Sequence, residues 1–249
     1  MSLALIIPLC VFVTSAISGV LGMAGGMILM GCLVSLLPVA TAIVVHAAAQ
    51  FVANGSRAFL HRKYIVWASL RYYAIGLALA TLVMALTAFV PDKATVFLLL
   101  GILPYAQLAL AKKIHLNILN PWQGVLCGFL STLLHLGGGV AGMLIDVFFQ
   151  RTGLTRHQMI ASKAATQVMS HTVRFVYFSL MAGSFTDSFA GIGAAGMAVV
   201  VAAAMTGTAM SGRILDRLSD HHFRRITQGI LLVLGAVYLL RGIVLLAGA

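Results

Sequence analysis

The chain is a series of long, uninterrupted apolar runs separated by short clusters of charge and glycine. The runs lie near 3–22, 40–60, 66–90, 94–111, 122–136, 140–149, 158–182, 188–211 and 226–247, with a shorter piece ending at Leu37. About 20 such residues cross the hydrocarbon core of a bilayer as a helix. Strands of a membrane barrel would alternate polar and apolar residues. The expected class is therefore all-α, a polytopic membrane helical bundle. Of the 249 residues 61% are hydrophobic and only 8% charged, whereas a soluble domain is about a quarter charged. That balance excludes a water-soluble enzyme, and the abundance of apolar surface excludes disorder.

The charges are one-sided. Sixteen Lys and Arg stand against five acids, all Asp, for a formal net charge of +11. In a soluble chain this would suggest nucleic acid; between apolar runs it reads as the positive-inside rule. Four loops carry the basic residues: Arg62, Lys63 and Arg71; Lys112 and Lys113; Arg151 and Arg156; Arg213, Arg217, Arg224 and Arg225. These go to the cytoplasm, while Pro91-Asp92-Lys93 and the loop around Asp187 go to the other side. The sides alternate on one condition. Segment 120–150 must start and end at the cytoplasm, breaking at Gly137-Gly138-Gly139 and returning as two short helices. The same logic makes 1–38 a hairpin around Gly25-Gly26 and puts both termini away from the cytoplasm. If a half-segment stays out of the bilayer, part of this flips. No Lys or Arg precedes the first run, so a cleaved signal peptide is not expected. Cys10, Cys32 and Cys127 have no metal-ligand spacing and read as small buried hydrophobes.

The two halves echo each other. VLGMAGGM (20–27) resembles LLHLGGGV (133–140), and HAAAQFVANGSRAF (46–59) resembles KAATQVMSHTVRFV (163–176). The offset is 113 residues for the glycine motif and 117 for the second, which pairs Gln50 with Gln167 and Arg57 with Arg174. The unit is a Gly-broken hairpin followed by three helices, with repeats expected at 1–116 and 117–249. A hairpin makes no net crossing and three helices make an odd number, so two such units in series are inverted. Inverted repeats with broken helices are a common build of secondary transporters. These glycine motifs, the small-residue helix after each, and the ending GRILDRLSDHHFRRITQGILLVLGAVYLLRG (212–242) resemble the sulfite exporter TauE/SafE family over nearly the whole chain. The resemblance implies export or uptake of small sulfur-containing anions such as sulfite or organosulfonates, in the bacterial cytoplasmic (inner) membrane. Family members commonly place a Pro a few residues after the glycines; this chain has none in 27–31 or 140–146.

Candidate binding residues follow from the chemistry of an anion in a membrane. Backbone N–H groups at broken helices attract anions, which nominates Gly25, Gly26, Gly137, Gly138 and Gly139; close helix packing is the alternative. Arg174 lies deep in an apolar run, where a charge must face protein or water. Its planar fork suits a sulfite or sulfonate group. Gln167, His171 and Arg174 share one helix face at i, i+4, i+7, and Gln50, Asn54 and Arg57 repeat that spacing. The alternative for Arg57 is snorkelling at a helix end, and for Arg174 a structural pair with Asp146. Asp146, His135, Lys163 and His46 form the candidate coupling set. Asp146 equally suits neutralising Arg174 or Lys163. Lys163 and His46 equally suit guiding anions or anchoring the interface, and His135 a packing role. Gly191, Gly193, Gly196, Gly229, Gly235 and Gly242 read as helix contacts, and Trp67, Tyr72 and Tyr73 as an interfacial aromatic belt.

The leading expectation is alternating-access transport of a small anion. An anion channel lined by the same residues is the second reading, as is a carrier for another small organic anion such as a carboxylate. There is no zinc motif, Walker loop or dinucleotide fingerprint, so no enzyme, no cofactor and no metal are expected. The expected partners are a small anion and the lipid bilayer, with no nucleic acid and room for a homodimer.

Overall fold

The structure, a computed structural model, describes residues 3–21, 24–181, 193–215 and 220–248, with the backbone alone described at 19–21, 112–113, 211–215 and 220–226. Among them are ten α-helices: α1 (Leu3–Leu21), α2 (Ala24–Leu36), α3 (Val39–Leu60), α4 (Trp67–Thr87), α5 (Lys93–Lys113), α6 (Pro121–Gly138), α7 (Gly142–Phe149), α8 (Arg156–Met181), α9 (Gly193–Leu215) and α10 (Asp220–Ala247). Their ends have local causes. Asp92 caps α5 by accepting the Thr95 N–H at 2.7 Å. Asn120 caps α6, with Pro121 in its first turn, the position where a missing N–H costs nothing. Gly139, at φ 87°, closes α6 in the left-handed region, which glycine enters without strain.

Five described helices contain stretches long and apolar enough to cross a membrane: Val39–Leu60, Trp67–Thr87, Lys93–Ala111, Gly193–Met210 and Thr227–Ala247. Together with the shorter apolar helices they make the chain an integral, multi-pass membrane protein. Helix α8 falls outside this set although it runs 26 residues. Its polar stripe lowers its hydropathy, and the helix keeps that stripe inside the bundle. Gly25 and Gly26 lie within α2, while Gly22 and Met23, the loop around Asp187 with Gly191, and Arg217 lie outside the described residues. The side chains of Arg213, Arg224 and Arg225 do so as well.

The second hairpin closes as the charge pattern requires. The Ile118 N–H donates to the Phe148 carbonyl at 3.0 Å, so segment 118–148 begins and ends at one level. Tyr64 stacks on His157 with centroids 5.0 Å apart, and the Val66 N–H donates to Ser162 Oγ at 2.9 Å. The loops holding Arg62, Lys63, Arg151 and Arg156 thus share one end of the bundle. At the other end, Tyr177 Oη donates to the Phe89 carbonyl at 2.9 Å, tying α8 to the loop with Asp92.

Packing repeats between the halves. The most extensive contacts join α1 to α9, α4 to α6, α5 to α10 and α3 to α8. Exchanging α1 with α6, α3 with α8, α4 with α9 and α5 with α10 interchanges the first two pairs and maps the last two onto themselves. Helices α3 and α8 run antiparallel: His46 meets Arg174, Gly55 meets Val168 and Tyr64 meets His157. Helices α5 and α10 do likewise, Gly242 meeting Leu98 and Tyr105 reaching Leu232. Helix α2 ends at Leu36 and α7 at Phe149, 113 residues on, while α3 starts at Val39 and α8 at Arg156, 117 on. A longer link between α7 and α8 supplies the extra four.

Small residues set the closest approaches. A Cβ at Gly128 would overlap the Tyr73 carbonyl, and one at Gly76 the Val125 carbonyl, so α4 and α6 touch backbone to backbone. Gly235 and Gly242 pack on α5, whereas Gly193 and Gly229 face open space. Trp67 is exposed, as a belt residue is. Tyr73 is not: it is fully buried, and its hydroxyl meets Ser170 Oγ at 2.6 Å. A phenol on the protein side of α4 finds a partner in α8 that headgroups would otherwise supply.

Candidate functional site

The site lies where the polar stripes of α3 and α8 cross, between the start of α2 and the end of α6. Arg174 is 0% exposed, His46 1%, His135 2% and His171 3%. Arg174 Nη1 donates to the Gly139 carbonyl at 2.8 Å and to His46 Nδ1 at 3.0 Å. Because His46 Nδ1 accepts, its proton sits on Nε2, which donates to the Gly26 carbonyl at 3.0 Å. His46 is therefore held as one neutral tautomer. One hydrogen-bonded chain runs from the glycine motif of the first half to that of the second.

The other edge of the guanidinium is open. Nη2 faces only the Met30 thioether, 3.5 Å away, a weak acceptor. Nε has no partner. No carboxylate pairs with Arg174 among the described residues: Asp146 pairs with Lys163. An unpaired buried charge costs roughly 3–5 kcal/mol relative to its pair, so an acceptor is missing along the Nε/Nη2 fork. That fork is the edge that grips planar or tetrahedral oxyanions with two parallel bonds.

The histidines stand beside it. His135 Nε2 and His171 Nδ1 are 3.2 Å apart, and the His171 ring centroid lies 5.7 Å from that of His46. His135 Nδ1 is buried without a partner. Among the described residues no group of three His, Cys, Asp or Glu is placed to hold a metal ion.

The remaining sequence candidates sort by position. Asn54 Nδ2 donates to the Gln50 carbonyl at 3.0 Å, and Arg57 Nη1 donates to Asn54 Oδ1 at 3.1 Å. Arg57 is thus tied within α3 and is not a partner of Arg174. Gln50 is buried with Nε2 unpaired, and its amide lies against Gly26. Gln167 is half-buried on the α8 stripe. Asp146 and Lys163 form their own ion pair, about a fifth exposed on each side, so of the two partners open to Asp146 it takes Lys163.

Only the second glycine motif departs from the expected amide cradle; Gly25 and Gly26 lie in the first turn of α2, where N–H groups have no intrahelical partner. Gly137 and Gly138 belong to the last turn of α6, where a Cβ would press on Leu99 of α5. Gly25 packs on Thr14 and Ser18 of α1. Gly26 and Gly139 act through their carbonyls, and a Cβ at Gly139 would lie on Arg174 Nη2. The reason is directional. The second motif ends a helix, so it presents C=O groups, and the open N–H groups begin further on, in the first turn of α7. Met30, which meets Arg174 Nη2, is not marked by the sequence, since a methionine in an apolar helix carries no signal of its own.

A multi-helix membrane bundle built around a buried Arg174 that has no acidic partner among the described residues has the character of a membrane protein with a polar interior site. The sequence matches the sulfite exporter TauE/SafE family over residues 7–238. The chain belongs to that family, whose members transport sulfite and related sulfur anions across membranes. No curated relative and no solved structure matched the chain.

Proposed function

We propose that this protein is a secondary transporter that carries a small sulfur-containing anion, of the sulfite or organosulfonate class, across the bacterial cytoplasmic membrane by alternating access. The observation that carries the reading is the Nε/Nη2 fork of Arg174, fully buried, with Nε unpartnered, Nη2 on the Met30 thioether and no carboxylate beside it among the described residues. A sulfonate or sulfite places two oxygens on that fork and supplies the missing charge. Gln50, Gln167 and His171 complete the wall, while the Gly26 and Gly139 carbonyls hold His46 and Arg174 in register. Arg57, Asn54, Lys163 and Asp146 line the approach from the basic end, which this reading places in the cytoplasm.

The carrier is favoured over a channel because the cluster is sealed, its central side chains at most 3% exposed. Movement of one half against the other then opens it. Repeats at 1–116 and 117–249, inverted relative to each other, supply that movement, and the antiparallel pairing of the equivalent helices α3 and α8 supports them.

The test is flux into proteoliposomes of sulfite, a two-carbon sulfonate and acetate, with Arg174→Ala beside the wild type. Saturable sulfur-oxyanion flux that disappears in the variant is the expected result. Equal flux in both proteins would make Arg174 structural. Acetate carried in preference to both sulfur anions would shift the reading to a carboxylate carrier.

A further inference from the structure

Arg174 and His46 make the one hydrogen bond of the central chain that crosses between the halves. His46 is bound to the glycine carbonyl of its own half, Gly26, and Arg174 to that of its own half, Gly139. The crossing bond joins Nη1 to His46 Nδ1 at 3.0 Å. It requires a lone pair on Nδ1, so it exists only while His46 is neutral. A proton on Nδ1 turns the acceptor into a donor, breaks the bond and sets two cations side by side.

An anion on the Arg174 fork changes that balance. It neutralises the guanidinium and competes for its N–H groups, so the imidazolium is no longer facing a bare cation. Its new Nδ1–H also finds an acceptor in the anion. We propose that His46 is the proton site of coupled transport: anion on Arg174 and proton on His46 Nδ1 bind together, and their joint arrival breaks the bond between the halves. The proton enters from water on the open side and leaves from the same nitrogen on the other. His46 Nε2–H stays on Gly26 throughout. Apart from the N–H bond at Nδ1, no covalent bond is made or broken.

The surroundings support this choice of residue. The charged and titratable groups around His46 are Arg174 and His171 from α8 and His135 from α6. Helix α2 offers its Gly26 carbonyl, its Cys32 lying instead beside Cys10. The side chains described on α9 include no titratable group. Asp146, the other coupling candidate, is already engaged by Lys163. Of the three histidines, His46 alone bonds Arg174 and joins the halves.

The inference rests on the anion reading above, and its test separates the two. Wild-type protein in liposomes at clamped zero potential is given a gradient of a two-carbon sulfonate, which does not titrate near neutral pH, with a pH dye inside. Sulfonate entry accompanied by acidification is expected. Sulfonate binding to purified protein should weaken about tenfold per pH unit above the proton site's midpoint. His46→Gln, which keeps a donor for Gly26 and an acceptor for Arg174 but takes up no proton, should bind sulfonate with a flat pH profile and lose the proton-coupled sulfonate flux. Sulfonate flux without acidification in wild type overturns the proton site and leaves the anion reading standing, as does a pH profile unchanged by H46Q. Absence of both flux and binding in folded wild type overturns both. Should H46Q fail to fold, the two wild-type measurements still decide, because each asks whether a proton accompanies the anion.

Discussion

At Arg174 the energetics turn on which N–H groups are already spent. Nη1 is used by Gly139 and His46, and the Nε/Nη2 edge is open. Lysine keeps the charge but loses the fork. Arg174→Lys should therefore fold yet bind a sulfonate more weakly by about 1.5–3 kcal/mol, the usual range for a charged hydrogen bond. Equilibrium binding to the purified variant checks this, and wild-type affinity in it would exclude bidentate capture. Gly139 is the second residue-scale case. Its φ of 87° and the contact of a Cβ with Arg174 both oppose a side chain. Gly139→Ala should cost about 1–3 kcal/mol and displace the guanidinium, lowering both the unfolding temperature in detergent and the flux. A variant as stable and active as wild type would show that the end of α6 tolerates another conformation.

At the scale of the helix, two contacts invite measurement. Helices α4 and α6 meet through Gly76 and Gly128, each against the other's carbonyls. Gly128→Leu forces them apart, and overpacking of this kind costs about 1–3 kcal/mol; thermal unfolding in detergent reads it. Asp92 caps α5 from an exposed loop, and the Thr95 N–H holds its carboxyl below the ordinary range. A lowered carboxyl contributes stability above its unfolded value, about 3.9, and loses it as pH falls through the folded value. Asp92→Ala should remove about 1 kcal/mol at neutral pH, with the difference from wild type shrinking at pH below that window. A difference that persists in acid would assign the effect to something other than the cap's charge.

At the scale of the whole molecule, the two halves carry different charges at equivalent places. His46 corresponds to Lys163 and Leu33 to Asp146, by the offsets of 117 and 113. The second half thus adds a cation and an acid together, and the pair neutralises itself. Asp146→Leu alone strands Lys163 in a half-buried place. It should cost about 1–2 kcal/mol, less than the full buried-pair penalty because both groups keep some exposure. Adding Lys163→His recreates the first-half pattern and should recover most of that loss. Additive losses in this double variant would mean the equivalence is one of sequence only. Sidedness is tested by labelling single cysteines at Lys63 and Asp92 with an impermeant reagent in right-side-out vesicles: Asp92→Cys should react and Lys63→Cys should not.

The apolar spans, the glycine break after α6 and the shared end of the two basic loops holding Arg62, Lys63, Arg151 and Arg156 were legible in the chain. Hydrocarbon forces backbone groups to pair within a helix, so span length and interruption are written as uninterrupted apolar runs and their glycines. The stripe Gln167, His171, Arg174 was equally legible, because helical spacing is local. Three things were not. Whether a glycine presents N–H or C=O depends on which side of the break it falls, and both sides are apolar. Asp146 had two cations within reach of argument, and only packing of α7 on α8 selected Lys163. His46 and Arg174 lie 128 residues apart, and no periodicity relates them. The crossing of α3 over α8 brings them together, and that crossing is a property of packed helices: it spends one edge of the guanidinium on His46 and Gly139 and leaves Nε on the other without a partner.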